Sequence, residues 1–246
     1  MDNTIKVYFG LSVLFNLAFV LLGTIWLIKK GGLSYLLSKL SSQKTDPLYS
    51  SPYYSDRKAH FETLVKTDES IIFLGDSLTD SCEWSEILGC KNIKNRGISG
   101  DRTDGVLNRL DEVLSFQARK IFIMIGINDL VQGKKIEDVL KNYKSILEKL
   151  KQSNPDTKIF VQSVLPINNQ KAIDIQDLNL NNGKVVKFNQ KLQELAQEFS
   201  VQYLDLFPTF ADENNQLDER YTTDGVHLNG QAYSVWRGII EKYVVN

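Results

Sequence analysis

The sequence predicts an α/β fold in which a parallel sheet lies between two layers of helices. Short apolar runs of strand length alternate along the chain with longer segments that have the 3.6-residue periodicity of amphipathic helices. This alternation is typical of parallel sheets that are covered on both faces, because their strands are apolar throughout. Five such runs within about 190 residues predict one three-layer α/β/α domain with a five-stranded sheet.

The predicted strands are short, and each is followed by a turn. The first strand, residues 71–74, is continuously apolar and ends at Gly75, and the strongest strand pattern is at 120–125. The remaining three strands are predicted at 92–95, 158–163 and 202–206.

The predicted helices lie between these strands. Residues 136–151 carry a regular apolar stripe, which is typical of a helix packed against a sheet. Further helices are predicted at 56–66, 80–88, 103–113, 185–199 and 231–243.

The N-terminal segment has a different composition from the rest of the chain. Residues 7–28 carry no charged residue and are bounded by Lys6 and Lys29. As a helix they would span about 33 Å, which is enough for a bilayer core of about 30 Å. The segment therefore predicts one transmembrane helix within residues 1–30, which would make the membrane a partner of the chain. A cleaved signal peptide is the alternative, but its apolar region is usually shorter.

The chain is thus expected to be a single-pass membrane protein with an N-terminal anchor. Four lysines, at 29, 30, 39 and 44, follow the span and only Lys6 precedes it, which favours a cytoplasmic location for the bulk of the chain, although few flanking charges leave the side open. Residues 31–55 are predicted to form a juxtamembrane linker, since Pro47 and Pro52 interrupt any regular element. The folded domain is predicted to cover 56–246.

Composition excludes several classes of function. The chain has 246 residues, 42% of them hydrophobic, and a formal net charge of −1, so nucleic acid is not an expected partner. Cys82 and Cys90 are the only cysteines, and unpaired thiols are favoured over a single bridge. The sequence has no metal-binding or nucleotide-binding motif, so neither a metal nor a cofactor is expected.

Reactive side chains follow the predicted strands. Ser77 comes after the first strand, Gly100 after the second and Asn128 after the third, while Asp224 and His227 precede the last helix. Because ligands bind outside the carboxyl ends of parallel strands, we expect these residues to lie at one edge of the sheet. Together they provide the parts of an acyl-transfer site.

Ser77 and His227 are the predicted nucleophile and base. A serine hydroxyl reacts only when a base takes its proton, and an imidazole suits this task near neutral pH. Asp224 lies three residues before His227 and could orient its ring. His60, the other histidine of the chain, lies in a predicted helix and is expected at the surface. Taken singly, each of these residues also has an ordinary structural explanation, such as a helix cap for Ser77.

Three groups are candidates for an oxyanion hole, in which donors fixed in advance stabilise the tetrahedral intermediate. They are the backbone N–H of Ser77, the backbone N–H of Gly100 and the side chain of Asn128. A glycine at position 100 allows the backbone to approach the substrate without an intervening Cβ. A turn at Gly100 and a helix cap at Asn128 are the alternatives.

These residues form four blocks, at 75–78, 100, 126–129 and 224–227, and the set resembles the signature of the SGNH (GDSL) hydrolases. The resemblance covers about residues 56–246. It implies a flavodoxin-like sheet of order 2-1-3-4-5 and a serine esterase. It also implies the roles already considered: Ser77 as nucleophile, His227 as base, Asp224 as orienting group, and Ser77, Gly100 and Asn128 as oxyanion donors.

Two segments indicate a branch of this family. Residues 95–103 and 221–228 are similar to platelet-activating-factor acetylhydrolase-like proteins and to sialate or carbohydrate O-acetylesterases. This similarity implies a small acyl group, and the leading hypothesis is hydrolysis of short O-acyl esters, above all O-acetyl esters of sugars.

Other functions remain open at this point. A lysophospholipase or thioesterase would need an apolar groove, for which Ile127, Leu130, Leu165 and Pro166 are candidates, although core packing explains them equally well. Asp76 is a further candidate for substrate binding, with helix capping as its alternative. A non-catalytic glycan- or lipid-binding module would not need Ser77 and His227, and a flavin site would rest on topology alone.

Overall fold

The computed structural model describes residues 3–29, 51–172 and 180–245. The chain divides into two units, Met1–Pro47 and Leu48–Asn246. In the first unit, helix α1 covers Asn3–Lys29, and large apolar side chains along it, such as Phe15 and Phe19, are exposed. Most of the predicted linker, residues 30–50, lies outside the described residues.

The predicted membrane anchor falls on α1, and this prediction is wrong. Among the described residues, no helix combines the length and the apolarity that crossing a membrane requires. The single-pass anchor over residues 1–30 and the membrane localisation are therefore withdrawn. The prediction counted charges and passed over polar groups: Asn16 and Thr24 lie within the run, and their side chains hydrogen-bond to the carbonyls of Ser12 and Leu21 in the same helix.

The second unit contains the predicted five-stranded parallel sheet. Its strands run in the order β2-β1-β3-β4-β5, which is the order that the family resemblance implies. All four neighbouring pairs are parallel. The strands are β1 (Ser70–Gly75), β2 (Ile93–Gly97), β3 (Ala118–Met124), β4 (Lys158–Gln162) and β5 (Gln202–Leu204).

The described helices of the second unit follow the predicted alternation, with differences at the short ones. They are α2 (Pro52–Thr63), α3 (Ser77–Asp80), α4 (Trp84–Ile87), α5 (Thr103–Asn108), α6 (Leu110–Leu114), α7 (Ile127–Val131), α8 (Ile136–Ser153), α9 (Asn182–Glu198), α10 (Phe207–Phe210) and α11 (Gly230–Val245), with a 3₁₀ turn at Glu219–Tyr221. The predicted helix at 103–113 is two short helices, α5 and α6, and the predicted helix at 80–88 contains only α4 and the last residue of α3. Helices α7 and α10 are not predicted, because one turn is too short to show a period.

Helix α2 begins at Pro52, inside the segment predicted as a linker. Ser51 caps it, since its Oγ accepts a hydrogen bond from the Tyr54 N–H at 3.2 Å. Proline lacks a backbone N–H but is well tolerated in the first helical turn, where that donor has no partner in the helix. The proline that was expected to break the element therefore starts it.

The two faces of the sheet are covered by different helices. Helices α5, α6, α8 and α9 pack on one face through an aliphatic cluster, and α11 covers the other face with α4. On that second face, the rings of Phe73, Phe122 and Phe160 stack across three adjacent strands, with centroids 4.8 and 4.5 Å apart. The three-layer α/β/α architecture is as predicted.

The two cysteines, Cys82 and Cys90, are free thiols, the first buried and the second half-buried. Burial raises the pKa of Cys82 to about 12, so its thiol is not ionised at neutral pH.

Candidate active site

Ser77 is the first residue of α3, directly after the interior strand β1. Asp76 is the N-cap, and its Oδ1 accepts a hydrogen bond from the Leu78 N–H at 3.1 Å. The Ser77 side chain sits at the carboxyl edge of the sheet, and the residue is only 8% exposed. The position therefore combines a helix N-terminus with the strand edge where ligands bind in parallel sheets.

The fold brings His227 and Asp224 to this serine, as the sequence predicts. The His227 Nε2 lies 3.2 Å from the Ser77 Oγ, and the His227 Nδ1 lies 2.6 Å from the Asp224 Oδ2. Both contacts are within hydrogen-bond reach, so the three side chains form one continuous chain of polar contacts. Ser77 and His227 are 150 positions apart in the sequence.

The loop that carries His227 is organised around the Asp224 carboxylate. The Asp224 Oδ1 accepts hydrogen bonds from the N–H groups of Val226 and His227, at 2.9 and 2.7 Å. Burial tends to raise the pKa of Asp224, but the hydrogen bonds from the His227 ring and from these two backbone donors outweigh it and lower the pKa to about 2. The carboxylate is therefore ionised at neutral pH and faces the imidazole.

Gly100 and Asn128 lie beside Ser77 at the rim of the cleft. Gly100 has a φ of +78°, and a Cβ added there would meet no atom within 4 Å, so backbone conformation and not crowding favours glycine. The Asn128 Nδ2 donates to the Asp101 carbonyl at 2.8 Å. An amide nitrogen has two hydrogens, so this bond fixes the side chain and leaves the second hydrogen for another acceptor.

A cleft of about 250 Å³ opens between these groups. Ser77, Gly100, Asn128 and His227 line it together with Asp76, Leu78, Ser99 and Val226. The rest of its wall is apolar: Met124, Ile127, Val131, Val164, Leu165, Pro166 and Ile167. A substrate carbonyl at Ser77 would thus have polar groups on one side and an aliphatic wall on the other.

Most of the predicted substrate-binding residues line this cleft, and one does not. The cleft wall includes Asp76, Ile127, Leu165 and Pro166. Leu130 does not line the cleft, because its side chain points from α7 into the core and is fully buried. Leu130 is therefore a packing residue. The cleft residues that the sequence reasoning missed include Val131, which lies four residues after Ile127 and so on the same face of a helix.

Asp76 is a buried acid next to the nucleophile. Burial raises its pKa to about 7, while the hydrogen bond from the Leu78 N–H works in the opposite direction. Its exposure is 1%, so the carboxyl group is neutral in a large fraction of molecules near neutral pH. It is both a helix cap and a cleft residue, the two alternatives that the sequence left open.

A buried ion pair and a buried hydrogen bond hold the loops around the cleft. Asp101, directly after Gly100, accepts a hydrogen bond from the Arg109 Nε at 2.8 Å, and both side chains are inaccessible to solvent. Asp129, directly after Asn128, accepts from the Thr103 N–H at 2.9 Å. These neighbours of the site residues were not identified from the sequence, although both aspartates lie in the segments that carry the family resemblance.

Within residues 3–29, 51–172 and 180–245, no group of three or more His, Cys, Asp or Glu side chains is placed to hold a metal ion.

Comparison with known proteins shows that a family model matches this chain. It is the model of the GDSL-like lipase/acylhydrolase family, and it matches residues 73–235. This region contains the second half of β1, all of β2 to β5, and every residue of the site described above.

The individual relatives have low sequence identity to this chain. An N-acylneuraminate cytidylyltransferase of Streptococcus agalactiae is 24% identical over 76% of this chain and 41% of its own length. The chain thus spans about two fifths of that relative. The platelet-activating factor acetylhydrolase IB subunit alpha1 of Bos taurus is 25% identical over 68% of this chain and 71% of its own length.

A solved structure agrees with the fold. A protein from Streptococcus pneumonia, provisionally named a platelet activating factor, superposes with a TM-score of 0.73 and 28% identity. The alignment covers 86% of this chain and 99% of the other.

Proposed function

We propose that this chain, which belongs to the GDSL-like lipase/acylhydrolase family, is a serine ester hydrolase with Ser77 as its nucleophile. Family membership agrees with the predicted class of enzyme. The observation that carries the assignment of residues is the chain of contacts from the Ser77 Oγ to the His227 Nε2, at 3.2 Å, and from the His227 Nδ1 to the Asp224 Oδ2, at 2.6 Å. A binding module would have no use for an activated hydroxyl.

The reaction would proceed through an acyl-enzyme. The Ser77 Oγ attacks the ester carbonyl while His227 takes its proton, and the C–O bond to the alcohol then breaks as His227 returns that proton to the leaving oxygen. Water adds to the acyl-serine in the same way, which releases the acid and restores the serine. Asp224, ionised at neutral pH, holds the imidazole in position and stabilises its charged form.

The proposed oxyanion donors are the Ser77 N–H, the Gly100 N–H and the free amide hydrogen of Asn128. All three residues line the cleft. A preorganised donor of this kind contributes roughly 3–4 kcal/mol to transition-state stabilisation. The bond from Asn128 to the Asp101 carbonyl supports the proposal, because it fixes the amide before substrate arrives.

The proposed substrates are short O-acyl esters, above all O-acetyl esters of carbohydrates. One relative is named an acetylhydrolase and another is named for an N-acylneuraminate, which supports a small acyl group and a sugar. The aliphatic wall of the cleft favours a second candidate, a longer acyl chain on a lipid. The length of the acyl group that is hydrolysed therefore separates the two candidates.

The test compares hydrolysis of p-nitrophenyl acetate, butyrate, octanoate and palmitate by the full chain. We expect Ser77→Ala to lower kcat by roughly 10⁴-fold or more, because the nucleophile has no substitute. Ser234→Ala is the matched control, since this exposed serine lies on α11 and donates to the Gly230 carbonyl.

Each result has a defined meaning. A steep fall beyond butyrate supports the acetylesterase, and a maximum at octanoate or longer supports the lipid substrate. Turnover that Ser77→Ala does not reduce would show that the proposed mechanism is wrong.

A further inference from the structure

Asp80 connects the nucleophile helix to the loop that carries Gly100. It is the last residue of α3, three positions after Ser77. Its Oδ2 accepts a hydrogen bond from the Ser99 N–H at 3.0 Å. Ser99 directly precedes Gly100, so this carboxylate holds the backbone that presents the proposed oxyanion donor.

Helix α2 holds the same carboxylate from the other side. The Arg57 guanidinium donates to the Asp80 Oδ1 at 3.0 Å, and the Tyr53 hydroxyl donates to the Oδ2. Arg57 is itself fixed over the Phe61 ring, 4.6 Å from its centroid. The Asp80 side chain is only 11% exposed, whereas its partners Arg57 and Tyr53 are 28% and 47% exposed, so the carboxylate is held from the protein surface.

The backbones of α3 and β2 are also in direct contact at Asp80. A Cβ at Gly97 would lie 2.1 Å from the Asp80 N and 2.5 Å from its Cα, so the end of β2 packs directly against the end of α3. The Asn95 Nδ2 donates to the Asp80 carbonyl at 3.2 Å. Main-chain packing and side-chain bonds therefore meet at one residue between Ser77 and Gly100.

We infer that Asp80 is a positioning residue for the oxyanion hole, held in place by Tyr53 and Arg57 of α2. The inference rests on the function proposed above, in which Gly100 supplies an oxyanion donor. It assigns a role in catalysis to a helix that precedes the family-matched region 73–235. Asp80 acts only through the position of the Ser99–Gly100 backbone.

Removing the carboxylate should affect the transition state more than the bound ester. An oxyanion donor displaced by about 1 Å loses up to about 100-fold in rate, whereas ground-state binding depends on the wall of the cleft. An effect on kcat without an effect on KM therefore distinguishes positioning of the oxyanion hole from general loosening of the cleft.

The experiment uses the full chain with p-nitrophenyl acetate. For Asp80→Ala we expect kcat to fall about 10- to 100-fold with KM changed by less than about 3-fold. Asp80→Asn keeps an acceptor for the Ser99 N–H and should recover most of kcat. Glu198→Ala is the matched control, because it removes an exposed carboxylate paired with Lys144 at 2.7 Å.

The first measurement is whether the wild-type chain hydrolyses the ester and whether this turnover depends on Ser77. If there is no such turnover, the proposed function is rejected, and this result is distinct from a failure of the role assigned to Asp80. Given that turnover, a wild-type kcat for Asp80→Ala, or a change in KM alone, overturns the inference. If Asp80→Ala does not fold, Arg57→Met decides, since it leaves residues 73–235 unaltered. We expect its kcat to fall about 3- to 10-fold, and an unchanged kcat overturns the inference.

Discussion

The two sides of the candidate site differ in how they are held. On the nucleophile side, Ser77 and Asp76 are 8% and 1% exposed. On the base side, the side chains of Asp224 and His227 are 46% and 50% exposed. The nucleophile is thus positioned by the core of the protein, whereas the base is positioned by a surface loop.

The contacts around each side explain this difference. All six residues of β1 are buried, and the strand is hydrogen-bonded to β2 and β3 along its length. On the base side, local bonds dominate: the Asp224 carboxylate binds two backbone N–H groups within three residues. A tertiary hydrogen bond, from the Asn168 N–H to the Gly225 carbonyl at 2.8 Å, seats the loop on the domain.

This comparison predicts which property each side controls. Substitutions on the nucleophile side should alter the free energy of unfolding as well as activity, because the residues are part of the buried structure. Substitutions of exposed residues on the base side should alter activity with little loss of stability.

The largest effect is expected on the base side. His227→Ala should lower kcat by roughly 10⁴-fold and Asp224→Ala by about 10³-fold, since an orienting carboxylate is less essential than the base itself. Thermal unfolding should change little for His227→Ala, whose side chain is half exposed, and slightly more for Asp224→Ala, which also removes the acceptor for two backbone N–H groups of the loop. The measurements are p-nitrophenyl acetate turnover and the melting temperature, with the exposed His60→Ala as control.

Two results would contradict this prediction. A loss of several degrees in melting temperature for either variant would show that the loop contributes to the stability of the domain. Wild-type turnover by His227→Ala would show that another group acts as the base.

A smaller effect is expected on the nucleophile side, where Asp76 links stability to pH. Burial raises its pKa from 3.8 to about 7 in the native state. Between about pH 4 and 7 the native protein therefore binds a proton that the unfolded chain has lost, so the free energy of unfolding falls as pH rises. Above pH 7 the total fall in the free energy of unfolding reaches about 4 kcal/mol, because each unit of difference in pKa corresponds to about 1.4 kcal/mol.

Asp76→Asn should remove this pH dependence, because the amide has no proton to lose and still offers an oxygen to the Leu78 N–H. Urea unfolding at intervals from pH 4 to pH 8 measures it, with Asp156→Asn at an exposed turn as the matched control. An unchanged pH dependence in Asp76→Asn would show that Asp76 ionises in the native protein as it does in the unfolded chain.

The same contrast explains how much the sequence predicts. Buried parallel strands leave continuous apolar runs, so the sheet, its order and the position of Ser77 follow from local patterns and from the family resemblance. The local bond from Asp224 to His227 also has a sequence signal, because three positions separate the two residues. The meeting of His227 with Ser77 depends on the whole fold and was expected only from their place at one sheet edge.

The predictions that failed or were missed depend on orientation or on distant contacts. Leu130 was placed in the cleft because a five-residue helix is too short for its period to show which face is buried. Asp80 was not identified, because its partners Ser99 and Arg57 lie 19 and 23 positions away. The anchor prediction weighed charges and not the polar side chains within the run.

The smallest effect is expected at Gly225, where the loop that carries His227 is hydrogen-bonded to Asn168 of the domain. Its φ is +86°, and an added Cβ would lie 2.5 Å from the Asn168 carbonyl oxygen, so Gly225→Ala forces the loop away from the domain. Gly89 is the matched control, since its φ is +60° but an added Cβ meets nothing within 4 Å.

We expect Gly225→Ala to lower the free energy of unfolding by about 1–3 kcal/mol and Gly89→Ala by about 1 kcal/mol, with kcat reduced only in the first. Urea unfolding and p-nitrophenyl acetate turnover give the two quantities. Alanine at either position introduces the same kind of backbone strain, so the difference between the variants isolates the contact between the His227 loop and Asn168. Equal losses of stability with equal kcat would show that contact with Asn168 does not position His227, and that the short-range bonds of Asp224 are sufficient.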